Sequence, residues 1–232
     1  MKKRILELFS GTHSIGKEAE KLGYEVYSLD RDIGSKCPFG SEYESKNHFK
    51  EDIMTFNYKQ FPKNYFHVIT ASPVCLWWSH LRNSWIGRKL KRMDRPLTKE
   101  DIENDIEKYG IPMVEKIYEI IEYLNPTYWW IENPQTGRMK EYINDLIPYY
   151  DVDYCKYSDF GYKKRTRLWT NIKGFQPKLC NLDCNNIIKI NNVMKHKEAL
   201  GHTKKNNWNG KLQLERYRIP SKLIIELLNL CN

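Results

Sequence analysis

Thr70-Ala71-Ser72-Pro73-Val74-Cys75-Leu76-Trp77-Trp78-Ser79 follows on a short apolar run, residues 65–70, rich in β-branched and aromatic side chains. The run reads as a buried strand, and Pro73 as the turn that ends it. Open α/β sheets hold their ligands just beyond the carboxyl ends of their strands, and Cys75 stands at such a place. Taken alone, a cysteine after an apolar run is more simply a buried structural thiol. The stretches on either side therefore carry the decision.

Upstream, Arg4-Ile5-Leu6-Glu7-Leu8-Phe9 reads as a strand, and Ser10-Gly11-Thr12-His13-Ser14-Ile15-Gly16 as a small-residue turn opening a helix that runs to about residue 22. Glycine lets backbone approach a ligand closely, and a helix N-terminus offers amide donors to an anion such as a carboxylate. The glycine spacing lacks the following Lys-Ser/Thr of a phosphate-cradling loop and is not Gly-x-Gly-x-x-Gly. A second strand, Glu25-Val26-Tyr27-Ser28-Leu29, ends in Asp30-Arg31-Asp32, about twenty residues beyond the turn, where an acid can accept the hydroxyls of a ribose. Glu51-Asp52-Ile53 places another acid ahead of the next strand, suited to an adenine amino group. Each acid alone reads more often as a solvated loop residue. Turn, acid, acid and strand in this order point to a nucleoside-binding α/β domain.

Downstream of Ser79 the chain turns basic, with Arg82, Arg88, Lys89, Lys91, Arg92 and Arg95 interleaved with Trp85 and Gly87. This is expected to be a mobile loop, either a solvated surface or a grip on phosphates and bases. Thr98 is a candidate N-cap for a helix with Ile102, Ile106, Tyr109, Met113, Ile117, Ile120 and Leu124 on its core side, divided in two at Gly110 and Pro112. Tyr128-Trp129-Trp130-Ile131 is then a buried strand that delivers Glu132-Asn133-Pro134 at its end. A carboxylate in so apolar a setting is costly unless paired or kept for chemistry. If the two strands are neighbours, Cys75 and Glu132 share one pocket.

The 232 residues fit one domain of ordinary size, and 41% hydrophobic content suffices for its core. A formal charge of +9, from 38 Lys and Arg against 29 Asp and Glu, favours a polyanionic partner. Six cysteines are too sparse for a disulfide framework, and Met1-Lys2-Lys3-Arg4 leads into a strand rather than a secretory signal. The expected setting is a reducing, intracellular compartment. No apolar run approaches the roughly 20 residues of a membrane span.

These residues, in this order, resemble the DNA cytosine-5 methyltransferase family, in particular its small members from phages and large viruses. Leu8-Phe9-Ser10-Gly11 is similar to the family's cofactor turn, and Ser72-Pro73-Val74-Cys75 with Ser79 to its nucleophile loop. Glu132-Asn133 is similar to its acid motif and Lys163-Lys164-Arg165-Thr166-Arg167 to its Gln-x-Arg-x-Arg, so that the likeness spans residues 5–171. It implies a Rossmann-like α/β fold of the class I S-adenosylmethionine-dependent methyltransferases, with a small C-terminal polar insertion. S-adenosylmethionine would be held by Phe9, Ser10, Gly11, Ser14, Ile15, Asp30, Arg31, Asp52, Ile53 and Pro73. The reaction would be methylation of carbon 5 of cytosine in DNA, with Cys75 adding to carbon 6 of a flipped base and Glu132 bonding its N3 and amino edge. Arg165 would hold the base carbonyl and Arg167 would support the loop. Ser79, Arg82, Trp85, Arg88, Lys89, Lys91, Arg92 and Lys163 would meet the nucleic acid, expected to be double-stranded DNA bound by a monomer. The chain departs from the family at Val74-Cys75-Leu76, where Pro-Cys-Gln is usual, at Lys163 in place of Gln, and at His13, where a second glycine is common. Two rival readings follow: an RNA cytosine-5 methyltransferase, and an inactive module gripping DNA with the same basic face. Methylation of an exocyclic amino group would have no use for the thiol.

Beyond the resemblance, Asp153-Tyr154-Cys155-Lys156-Tyr157 reads as a strand and Leu168-Trp169-Thr170-Asn171 as its return partner. Residues 1–173 form the expected catalytic domain, 174–210 a short polar segment in the place of a target-recognition domain, and 211–232 a helix docking back on the catalytic domain. Cys180, Cys184, His196 and His202 could ligate zinc, but Cys-x-x-x-Cys with loosely spaced histidines is poorly specific, and the reading is of no metal.

Overall fold

The computed structural model describes residues 2–31, 46–91, 93–198 and 216–232. Alternation of apolar side chains along short strands builds a seven-stranded sheet: β1 (Arg4–Leu8), β2 (Glu25–Leu29), β3 (Asn47–Phe49), β4 (Val68–Ala71), β5 (Tyr128–Pro134), β6 (Tyr149–Asp153) and β7 (Arg165–Thr170). Their order is β3-β2-β1-β4-β5-β7-β6, parallel from β3 to β5, with β7 antiparallel to both its neighbours. The chain winds outward from β1 to β3 and then returns to β4 on the other side of β1. The crevice at the carboxyl ends of β1 and β4 is thus the switch point where such sheets bind ligands.

Successive strand residues face opposite sides. Leu6, Leu8, Ile69, Ala71, Ile131 and Trp169 pack with Ile102, Ile106, Ile117 and Leu124, whereas Ile5, Val68, Trp130 and Leu168 pack with Ile15, Ala19, Leu223 and Leu227. The first helical layer is α2 (Lys99–Asp105) and α3 (Ile111–Leu124); the second is α1 (Ser14–Lys21) and α4 (Ser221–Leu230). Thr98 caps α2 in a capping box with Asp101. The expected break at Gly110 and Pro112 does not occur, because one π-helical turn, Ile106–Gly110, carries α2 into α3. Tyr109 leaves the core face, 40% exposed, and stacks on Trp77.

Two further expectations change. The strand placed at residues 153–157 is instead β6, Tyr149–Asp153, because that stretch pairs with β7; Tyr154–Lys156 is a 3-10 turn. The basic loop is tied down by a 3-10 turn, His80–Trp85, and by backbone bonds joining Gly87 and Arg88 to Leu97. A separate hairpin, β8 (Ile187–Ile190) and β9 (Val193–His196), lies in the polar segment. Among the described residues no helix is long and apolar enough to cross a membrane.

Candidate active site

The turn after β1 bends through Phe9, Gly11 and His13, all at positive φ (58°, 43° and 53°). Glycine tolerates such backbone and the other two are strained there, as residues at ligand sites often are. At the end of β2, Asp30 accepts a hydrogen bond from Gly11 N through Oδ2 at 2.8 Å, which joins the first predicted acid to the turn. Arg31 lies 3.5 Å from Asp52, whose Oδ1 accepts from Met54 N, so the second acid stands on the same edge. Ile53 is buried in the core beneath them. Ser10 Oγ is buried without a hydrogen-bond partner among the described residues. A carboxylate and a waiting hydroxyl at the switch point fit a nucleoside cofactor.

Contrary to the expectation from sequence, the helix end is not open to an outside anion. Glu7, on β1, accepts from Ile15 N and Gly16 N, each at 3.1 Å, so the protein's own carboxyl occupies the amides of α1. Burial pushes that carboxyl up to about 8 against the pull of the two amide bonds. Ser14 is likewise engaged internally: its hydroxyl shares a proton with Thr12 and accepts from Ile219 N, tying the C-terminal segment to the turn. Nothing in sequence spacing marks Glu7 for this role, because the contact depends on how β1 and α1 pack.

Beyond β4, Pro73 is buried, and its carbonyl accepts from Asn133 Nδ2 at 2.9 Å, so the acid motif braces the cysteine loop directly. Trp78 anchors the other end: it is fully buried, its amide donates to Cys75 O, and a Cβ on Gly110 would sit 2.8 Å from its ring. Cys75 is thereby held between two fixed points, partly exposed, while Val74 and Leu76 point outward. Burial pushes the Cys75 thiol up, the Lys164 ammonium pulls it down, and the Glu132 carboxylate raises it again.

Glu132 is 6% exposed, accepts from Tyr154 Oη at 2.9 Å and lies 3.5 Å from Lys164 Nζ. Tyr154 and Lys164 were not among the predicted site residues. The pairing of Glu132 with Leu168 explains them: across an antiparallel pair, opposite residues share a face, so Thr166 and Lys164 turn to the Glu132 side. Arg165 and Arg167 turn to the other side. There they close two-pronged ion pairs, Arg165 with Asp153 at 3.0 and 2.7 Å and Arg167 with Asp151 at 2.7 and 2.8 Å. Neither guanidinium pairs with Glu132, whose partners are Tyr154 and Lys164.

The predicted nucleic-acid contacts divide. Arg82 is buried against Asp105, and Trp85, partly buried, packs on the core. Ser79 caps the 3-10 turn through Leu81 N, and Lys163 donates to Cys180 O at 2.9 Å. Arg88, Lys89 and Lys91 are exposed. Arg92 and His202 lie outside the described residues. Of the other candidate zinc ligands, Cys180, Cys184 and His196 come together, joined by Cys155.

No family model matches the chain. Over 237 residues, 98% of this chain and 100% of the relative, it is 39% identical to a protein of Frog virus 3 (isolate Goorha) described as a probable DNA (cytosine-5)-methyltransferase. Among solved structures it is similar to the Entamoeba histolytica methyltransferase EhMeth, with a TM-score of 0.56 at 13% identity over 100% of this chain and 98% of that one. It spans only 53% of the S. pombe Dnmt2 methyltransferase, with 76% of its own length aligned at 17% identity and a TM-score of 0.46. With more than a third of its residues shared along the whole of the viral relative, and a sheet that places the cysteine and the acid at adjacent strand ends, the chain belongs to the DNA (cytosine-5)-methyltransferase family.

Proposed function

We propose that this protein methylates carbon 5 of cytosine in double-stranded DNA, as a monomer inside the cell, through a Cys75 adduct on a base turned out of the duplex. The observation that carries the reading is the meeting of Cys75, Glu132 and Lys164 where β4 and β5 end and β7 begins, with Lys164 3.5 Å from Glu132 and Asn133 bonded to the Pro73 carbonyl of the cysteine loop. Carbon 5 of cytosine is a poor nucleophile. Bond formation between the Cys75 thiolate and carbon 6, with Glu132 hydrogen-bonded at the N3 and amino edge, moves an electron pair onto carbon 5 and makes it enamine-like. Tyr154 fixes the Glu132 carboxyl by donating to one oxygen. Lys164, on the same side, takes the part of a cation near the base and favours the thiolate. S-adenosylmethionine, the cofactor of this family, supplies an electrophilic methyl group to carbon 5. Transfer of the carbon 5 proton to water, with the electron pair of that bond reforming the ring double bond and expelling Cys75 from carbon 6 as the thiolate, then restores the ring. Phe9, Ser10, Gly11, Asp30 and Asp52 would hold the cofactor at the switch point.

In this reading residues 1–173 are the catalytic domain, the segment 174–210 meets the target, and 211–232 returns to brace α1. A duplex carrying 5-fluorocytosine tests it, because fluorine blocks the elimination that releases the enzyme. A covalent adduct is expected with wild type and none with Cys75→Ser. Adduct formation on RNA and not on DNA would move the substrate to RNA; methyl transfer by Cys75→Ala at the wild-type rate would overturn the mechanism.

A further inference from the structure

Outside the cysteine loop, Cys155, Cys180, Cys184 and His196 bring their ligand atoms within 4.8 Å of one another. We propose that they form a structural zinc site, three thiolates and one imidazole, that fastens the polar segment to the edge of the sheet. The four donors come from separate places: the turn after β6, the loop after β7, and the end of β9. His196 Nε2 lies 3.6 Å from Cys180 Sγ and 3.5 Å from Cys184 Sγ. Zinc bonds of roughly 2.3 Å to sulfur and 2.0–2.1 Å to nitrogen, at tetrahedral angles, require sulfur–nitrogen edges of about 3.6 Å. A tetrahedral set of soft thiolates with one imidazole selects zinc. A disulfide would use two of the cysteines and leave the third and the histidine unaccounted for.

The surroundings are built to orient these ligands, as outer shells of metal sites are. Asp153 accepts from Cys180 N at 2.8 Å, and Lys163 donates to Cys180 O. Asn186, 2% exposed, donates to the carbonyls of Cys155 and Ser158 at 3.2 and 2.8 Å. These contacts also account for Lys163 and Arg165, the latter by holding Asp153. The hairpin needs such a fastening, since Ile190, Val193 and Met194 are 43%, 62% and 46% exposed and a two-stranded hairpin is marginal alone. Closing the loop from Cys155 to His196 with a metal supplies what its core does not.

Metal analysis of the full chain, purified without chelator from zinc-supplied culture, is expected to find stoichiometric zinc, released when a mercurial titrates the thiols. Cobalt in its place should show thiolate charge-transfer bands and the strong d–d absorption of a tetrahedral centre. Cys180→Ser and Cys184→Ser together should remove the metal, whereas His202→Ala should keep it. Folded wild type with far less than stoichiometric zinc, a disulfide within the cluster in protein kept under reductant, or full zinc in the double serine variant would each overturn the site. The wild-type measurement decides even if the variants fail to fold.

Discussion

Lys164 owes its place to strand parity, and its chemistry follows from that place. Its ammonium lies 3.5 Å from Glu132, donates to Arg216 O and lowers the Cys75 thiol against the effect of burial. Removing the charge while keeping the length, in Lys164→Met, should push the thiol up and shift the pH profile of Cys75 alkylation to higher pH. Methyl transfer should fall by roughly 10²-fold, the scale for losing one preorganised electrostatic partner. Arg165→Met should instead lower thermal stability, because it strips Asp153 of its two-pronged partner, with much less effect on the thiol. The assignment fails if Lys164→Met keeps the wild-type rate and alkylation profile while Arg165→Met loses both.

At the scale of elements, β1 and α1 are joined by a carboxyl that bonds two helix amides from within the sheet. That makes Glu7 a pH-sensitive part of the fold. Its carboxyl is raised to about 8 from an ordinary value of 4.5, chiefly by burial. Between those values the folded protein keeps a proton that the unfolded chain has released, so this group's contribution to stability falls as pH rises through the window. His13, lowered to about 4 mainly by burial, stays neutral above pH 6.5 and does not mask the effect. Comparing wild type with Glu7→Gln from pH 6.5 to 8 should show wild type losing stability relative to the variant by up to about 1.4 kcal/mol per pH unit. In a chain of this size each kcal/mol moves the melting temperature by roughly 2–4 °C. Parallel melting curves for the two proteins across that range would mean that Glu7 is ionised throughout.

For the molecule as a whole, the formal charge of +9 is the excess of cations over acids, and ion pairing decides which cations supply it. Arg82 and Arg95 of the basic stretch are spent on Asp105 and Asp101, and Arg165 and Arg167 on Asp153 and Asp151. Arg88, Lys89 and Lys91 follow the cysteine loop in sequence and are exposed. If they meet phosphates, duplex affinity should fall steeply with salt. Replacing all three with alanine should flatten the log–log slope by about 0.9 for each lost contact. An unchanged slope in the triple variant would assign binding to other surfaces.

The order of strand, turn, acid, strand and cysteine was legible in the sequence because each depends on local chemistry: glycine at positive φ in Gly11, β-branched runs, Thr98 as a cap, an acid at a strand end. Those features predicted the α/β class and the meeting of turn with Asp30 and of Cys75 with the Glu132 loop. They also fixed attention on Arg165 and Arg167, whose spacing is visible without any partner strand. Which residues of a strand face a given neighbour depends on register, and register belongs to two strands at once. Pairing Glu132 with Leu168 turned Lys164 and Thr166 inward and sent both arginines to Asp153 and Asp151. Packing of β1 on α1 likewise made Glu7 a helix cap, and the meeting of Cys155 with Cys180, Cys184 and His196 arose from segments distant in the chain. Sequence by itself determined the elements and the chemistry they carry; the tertiary structure alone decided which side chains meet, because burial and pairing are properties of the assembled sheet.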